Sequence, residues 1–137
     1  NTFIDVDAAI LLGGSRDVLI ANNRFYNISE WGIFVDNRGS TWDTRMCAYN
    51  ATFTGMFPKE IMALHYDQVP YATRYPNLAV ILDNHPCLPW GLSIVRNTYC
   101  NVGSGFLYAV KPSTIVKWGG VYSSNSEAES CSIASGG

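Results

Sequence analysis

The residues with the most chemical potential lie in the stretch VDNRGSTWDTR, residues 35–45. It places Asp36, Arg38, Asp43 and Arg45 around Trp42. A lyase acting on a uronic acid needs a cation to neutralise the substrate carboxylate and a base to take the α-proton. Arg38 or Arg45 would supply the first, and His65 or His85 the second. Glycoside hydrolysis instead needs two carboxylates roughly 5–9 Å apart, and Asp36 with Asp43 or Asp67 is the pair to test. Trp42, Tyr71 and Tyr75 are candidates for stacking on sugar rings. The expected catalytic set is therefore Asp36, Arg38, Asp43, Arg45 and His65. A plainer reading stands beside each assignment. Asp36 and Arg38 would pair with one another at a turn, His85 would cap a loop before Pro86, and the aromatics would form local core.

What must position these residues is a repeat. The phrases NTFIDV at Asn1, NRFYNI at Asn23 and NTYCNV at Asn97 share Asn, a polar residue, an aromatic, a variable residue, Asp or Asn, then Val or Ile. The first two begin 22 residues apart and the third follows 74 residues later. Each continues as a short turn and a second apolar strand, and DVLIANN and GLSIVRN lead into the second and third. Short strands with Asn, Gly and Asp turns at a period of twenty-odd residues point to an all-β, right-handed parallel β-helix, a solenoid whose repeats bury apolar faces only against neighbours. Asn1, Asn23 and Asn97 would share one corner, where Asn tolerates left-handed backbone and bonds its equivalent in the next turn. Phe3, Phe25 and Tyr99 would stack inward. An antiparallel sandwich would need Asn-Gly or Asp-Gly hairpin turns, and there are none.

Between the second and third phrases the chain does not repeat. PKEIMALHY and PNLAVILDN read as two short helices opened by proline, in an insertion on the flank of the coils. The expected organisation is coils over 1–46, the insertion over 47–90, coils over 91–122 and a Ser-rich tail over 123–137, one domain in all. The chain opens inside its own repeat and has no initiator Met, so it reads as part of something longer.

Composition narrows the function. Hydrophobic residues make up 47% of the 137 and charged residues 15%, with net charge −2. Nine scattered Lys and Arg do not form the concentrated cationic surface that nucleic acid requires. No apolar run approaches the roughly 18 residues of a membrane-spanning helix. Cys47, Cys87, Cys100 and Cys131 form no CxxC pair, so no zinc or redox motif is indicated. An even cysteine count with two glycosylation sequons, at Asn27 and Asn50, favours an oxidising, extracellular setting. Four cysteines allow three connectivities. Cys47 with Cys87 would staple the insertion and leave Cys100 for Cys131. No metal or cofactor motif occurs, so no cofactor is expected; such a chain would admit Ca²⁺, but the sequence does not indicate it.

The turn Gly13–Asp17, the phrase Asn23–Phe25, the stretch Val35–Trp42 and the RYPNL of Arg74–Leu78 together resemble the pectate-lyase-like superfamily of right-handed parallel β-helix proteins. The resemblance covers most of residues 1–102. It implies a secreted protein that binds or cuts extracellular polysaccharide. The polygalacturonase pattern of paired aspartates with Gly-His-Gly and Arg-x-Lys is missing, and so are the Trp-x-Asp-His and Arg-x-Pro-x-x-Arg motifs of pectate lyases. The expected function is an extracellular domain with polysaccharide as its partner. The competing class is a structural or adhesive module that stacks on further coils or copies of itself.

Overall fold

The computed structural model describes residues 1–47 and 55–131. The chain separates into two compact units, one formed by residues 1–36 and 89–137 and the other by residues 37–88.

The first unit is built on parallel strands. β1 (Thr2–Gly13), β3 (Arg24–Asp36), β5 (Thr98–Val102) and β8 (Ser126–Glu127) follow one another in one sheet, and β6 (Gly105–Tyr108) also pairs with β3. A second parallel sheet runs β2 (Leu19–Ala21), β4 (Ser93–Val95), β7 (Val121–Ser123). The repeated phrases fall in register: Phe3 lies opposite Phe25, and Phe25 opposite Tyr99. The reason is visible in one column of side chains. Asn1 donates to the Asn23 Oδ1 from both its amine (3.1 Å) and its Nδ2 (3.3 Å). Asn23 donates likewise to the Asn97 Oδ1 from N and Nδ2, both at 3.0 Å. Asn97 in turn donates to the Asn125 Oδ1 at 3.1 and 2.9 Å. Each rung satisfies buried polar groups that would otherwise be costly, so a register slip would break the whole column.

Left-handed residues form matching columns. Asp5, Asn27 and Asn101 have φ of 51°, 52° and 52°, and Asn22, Arg96 and Ser124 have 56°, 54° and 56°. A third set is Asp17, Gly91 and Gly119, at 53°, 71° and 69°. Each left-handed residue turns the chain without a hairpin and resets the strand's alternation. In β3 the reset at Asn27 lets both Phe25 and Ile28 point inward, after which Ile33 and Val35 return to a period of two. The core gathers these four with Leu12, Ile20, Leu92, Ile94, Phe106 and Ile115. Phe3 stacks on Phe25 at 4.9 Å, Tyr99 on Phe106 at 4.6 Å, and Phe25 meets Phe106 edge-on at 5.1 Å. Cys100 is bonded to Cys131.

The second unit is largely helical. α1 (Thr44–Cys47), α2 (Met56–Ala63), α3 (Tyr71–Arg74) and α4 (Pro76–Ala79) are preceded by a 3-10 turn at Arg38–Ser40 and followed by another at Ile81–Asp83. Pro58 and Ile61 of α2 are buried, as is Leu82. Cys47 is bonded to Cys87 across a separation of 40 residues, with Cα atoms 6.1 Å apart. Gly39 lies against that bond, where a Cβ would come within 2.7 Å of the Cys47 sulfur.

These elements correct the expected fold class. The described residues are mixed α/β with parallel sheets, 25% helix and 38% strand; they are not all-β and do not show a right-handed parallel β-helix. The repeat specifies strand register; it does not specify what the intervening chain does. Prolines at first helical turns, where a missing N–H costs nothing, start α4 at Pro76 and a further helix in the first unit, α5 (Pro112–Lys117), which buries Ile115 in the sheet core.

Candidate functional site

The residues singled out for chemistry divide between the units. Asp36 ends β3 in the first unit and is buried, 4% exposed, and its carbonyl accepts from the Gly14 N–H at 3.1 Å. The rest lie in the second unit. Arg38 and Asp43 belong to one turn, closed by the Asp43 N–H on the Arg38 carbonyl at 2.9 Å. That turn sets the Arg38 guanidinium over the Trp42 ring, 5.1 Å from its centroid. Trp42 remains 71% exposed. Arg45 pairs with Asp43 at 3.6 Å and is almost fully in water, where such a pair contributes little. Arg74 lies 5.9 Å over Tyr75, and Tyr71 and Tyr75 are both exposed. His85 is exposed on a left-handed residue, φ 48°.

Among the described residues, one concavity on which polar side chains converge lies at the end of α2. Met62, His65, Tyr66, Asp67, Gln68, Leu82 and Asp83 line a cavity of about 400 Å³ within the second unit. Its geometry follows from the end of α2. Leu64 caps the helix, its N–H on the Ile61 carbonyl, and His65 follows at φ 50° with its N–H on the Met62 carbonyl at 3.0 Å. This is where helices usually place glycine. A histidine there stores backbone strain of about 1 kcal/mol, a feature that gathers at functional sites. The next turn closes from the Gln68 N–H to the His65 carbonyl at 3.0 Å, so residues 65–68 all present side chains to the same concavity. Leu82 and Asp83 arrive from the 3-10 turn.

The charges in this cavity interact. The Tyr66 phenol is held above its ordinary value, by burial first and then by the negative charges of Asp67 and Asp83. It therefore remains a hydrogen-bond donor through the neutral and mildly alkaline range. The lining offers carboxylates, an amide, an imidazole and a phenol over the apolar surface of Met62 and Leu82, and no Lys or Arg. Of the residues named from sequence, the cavity gathers His65 and Asp67. Tyr66, Gln68 and Asp83 went unnoticed: the first two flank His65 and Asp67 in an unpatterned turn, and Asp83 is brought in by the fold.

Among the described residues no group of three or more His, Cys, Asp or Glu is placed to hold a metal ion. No helix there is long and apolar enough to cross a membrane. Asn27 is exposed, and its amide is engaged on both sides, donating to the Asp5 Oδ1 and accepting from the Asn101 Nδ2, each at 3.0 Å. The sequon at Asn50 lies outside the described residues. All four cysteines are in disulfides.

No family model matches the chain, and neither a curated protein nor a solved structure matches it.

Proposed function

We propose that the protein is an extracellular glycan-binding module whose binding site is the cavity at the end of α2. The observation that carries this reading is the lining itself. Asp67, Gln68, Asp83 and His65 offer planar donors and acceptors over the apolar surface of Met62 and Leu82. Sugars present this pairing of chemistries, with hydroxyls around the ring edge and C–H groups on its face, and small-ligand sites pair apolar surface with a few placed polar groups in this way. Exposed Trp42, Tyr71 and Tyr75 in the same unit are suited to further sugar rings of a polymer. With two carboxylates and no Lys or Arg in the lining, the site favours neutral sugars over uronates. The two disulfides support an oxidising compartment.

Calorimetric titration with a soluble neutral β-glucan, a galactomannan and polygalacturonate tests this. Binding of a neutral polymer, lost at least tenfold in Asp67→Asn and Gln68→Ala, is expected. Equal binding by wild type and both variants, or binding of polygalacturonate alone, overturns the assignment. Following the same mixtures for new reducing ends or unsaturated ends shows whether binding leads to cleavage.

A further inference from the structure

Of the two glycosylation sequons, Asn27-Ile28-Ser29 lies inside β3, which pairs with β1 on one side and β5 on the other. Asn27 is left-handed, φ 52°, a backbone that asparagine tolerates better than most side chains. The reset it makes sends Ile28 into the core, 1% exposed, and leaves Asn27 and Ser29 both exposed. The two groups that define an N-glycosylation acceptor, an amide and a hydroxyl two residues on, therefore reach solvent at one corner of the sheet.

The hydrogen bonds at that corner leave room for one substituent. An asparagine side chain carries two hydrogens on Nδ2 and an accepting oxygen. One hydrogen goes to the Asp5 Oδ1 and the oxygen accepts from the Asn101 Nδ2, each at 3.0 Å. A sugar on Nδ2 takes the place of the other hydrogen, so the column of Asp5, Asn27 and Asn101 survives attachment. The paired sheet is nevertheless closed to the enzyme that would attach it. The Ser29 Oγ donates to the Asp7 Oδ1 at 2.6 Å, and the Ile28 carbonyl accepts from the Gly103 N–H at 2.9 Å. Ile28 is aligned with Val6 on one side and Val102 on the other. A transferase has to grip the segment's backbone, amide and hydroxyl, and all three are committed to neighbouring strands.

We propose that Asn27 carries an N-linked oligosaccharide, attached before β5 pairs with β3. The donor class is a lipid-linked oligosaccharide diphosphate. The bond formed joins Nδ2 to C1 of the first sugar, the bond broken is C1–O to the diphosphate, and the displaced Nδ2 proton leaves with the lipid diphosphate. Asp5 precedes Asn27 by 22 residues, whereas Asn101 follows it by 74. Two strands alone are at best marginally stable, so β1 and β3 hold the sequon firmly only once β5 has joined them. At about 5–20 residues per second, synthesis leaves the segment open for roughly 4–15 s. The attached chain then projects from an exposed corner, as a bulky polar substituent must. This goes beyond glycan binding by the cavity and does not rest on it. It rests on passage through an oxidising compartment, with which the two disulfides are compatible.

Secretion of the 137-residue chain from a eukaryotic host tests the site, read by peptide mapping in a mass spectrometer before and after amidase release of N-glycans. The peptide containing Asn27 is expected to carry an oligosaccharide and to show aspartate at that position after release. Ser29→Ala is expected to lose the oligosaccharide and Ser29→Thr to keep it. The timing is tested on unmodified chain offered to microsomal membranes with lipid-linked donor, once folded with its disulfides intact and once reduced and unfolded. Modification of Asn27 in the unfolded chain alone is expected. A secreted wild type bare at Asn27 overturns the proposal. So do equal modification of the folded and unfolded chains, modification of neither, and an oligosaccharide that persists in Ser29→Ala. The wild-type readings stand whether or not Ser29→Ala folds.

Discussion

Replacing Asn97 by Ala probes the structural logic of the first unit more sharply than any other single change. Its side chain is completely buried. The Oδ1 accepts from the Asn23 N–H and Nδ2 at 3.0 Å each, and the Nδ2 donates to the Ile20 carbonyl and the Asn125 Oδ1 at 2.9 Å each. Truncation strands two buried donors on Asn23 and removes a partner from the Ile20 carbonyl. The Asn125 oxygen keeps the N–H of residue 97. Three deprived groups at roughly 1–3 kcal/mol each, eased by water entering the space, put the loss at about 3–5 kcal/mol. Against a domain stability of about 5–15 kcal/mol, that is a large share. Urea unfolding of the oxidised protein, followed by circular dichroism, measures it. Asn1→Ala, which removes one exposed donor, is the control and is expected to cost under about 0.5 kcal/mol. Asn97→Asp adds a sign test. The carboxylate retains the acceptor role but turns oxygen toward the Ile20 and Asn125 oxygens, so its folded pKa is raised. A group with raised folded pKa stabilises most below its unfolded value and loses that contribution as pH rises. The deficit of Asn97→Asp should accordingly shrink between pH 7 and pH ~4. A cost for Asn97→Ala below about 1 kcal/mol, within reach of an ordinary surface substitution, would refute the claim that the column holds the register.

Three further outcomes are expected. Phe25→Ala removes a fully buried ring that stacks on Phe3 and meets Phe106, and should cost about 3–5 kcal/mol by the same unfolding assay. Ala109, exposed at φ 72°, carries a Cβ where glycine is favoured, so Ala109→Gly should raise stability by about 0.5–1 kcal/mol. The Tyr122 phenol is held above its ordinary value by burial first and then by Tyr99. Its contribution is complete below pH ~10 and is lost as pH rises through the folded value. Melting curves from pH 8 to 11 should therefore show wild type losing stability faster than Tyr122→Phe above pH ~10, with parallel curves below it.

The pairing of the three phrases was legible because it rests on residue types with few substitutes. An asparagine can donate twice and accept at one position, which is what a column of parallel strands requires, and the aromatic two places later is what fills the space inside. The fourth rung at Asn125 was not legible, for the same reason. NSEAES keeps the asparagine and replaces the aromatic with Glu127, so the phrase fails as a pattern while the column continues. The helices were legible where proline opens them. α2 and α4 fall inside or beside PKEIMALHY and PNLAVILDN. α5 follows the same rule at Pro112 and was overlooked because it stands in a segment where no repeat drew attention to it. The fold class then erred by extending a correct register rule to chain that the repeat does not govern.

The candidate site shows the opposite limit. Crowding of Asp36, Arg38, Trp42, Asp43 and Arg45 along the chain suggested a shared centre, yet neighbours in sequence are the residues best placed to satisfy one another. Arg38 lies on Trp42 and Arg45 meets Asp43. A site assembled by folding draws on residues with no sequence relation, as Asp83 does opposite His65 and Asp67. What a sequence does carry is the backbone's tolerance. A histidine at the left-handed residue after α2, where glycine would relieve strain, is a local departure from the rule that governs helix ends. The His65 side chain lines the cavity. His65→Gly should therefore separate the two roles, gaining up to about 1 kcal/mol in stability while weakening neutral-glycan binding. A variant that gains stability and binds as wild type does would show that His65 has no part in the site.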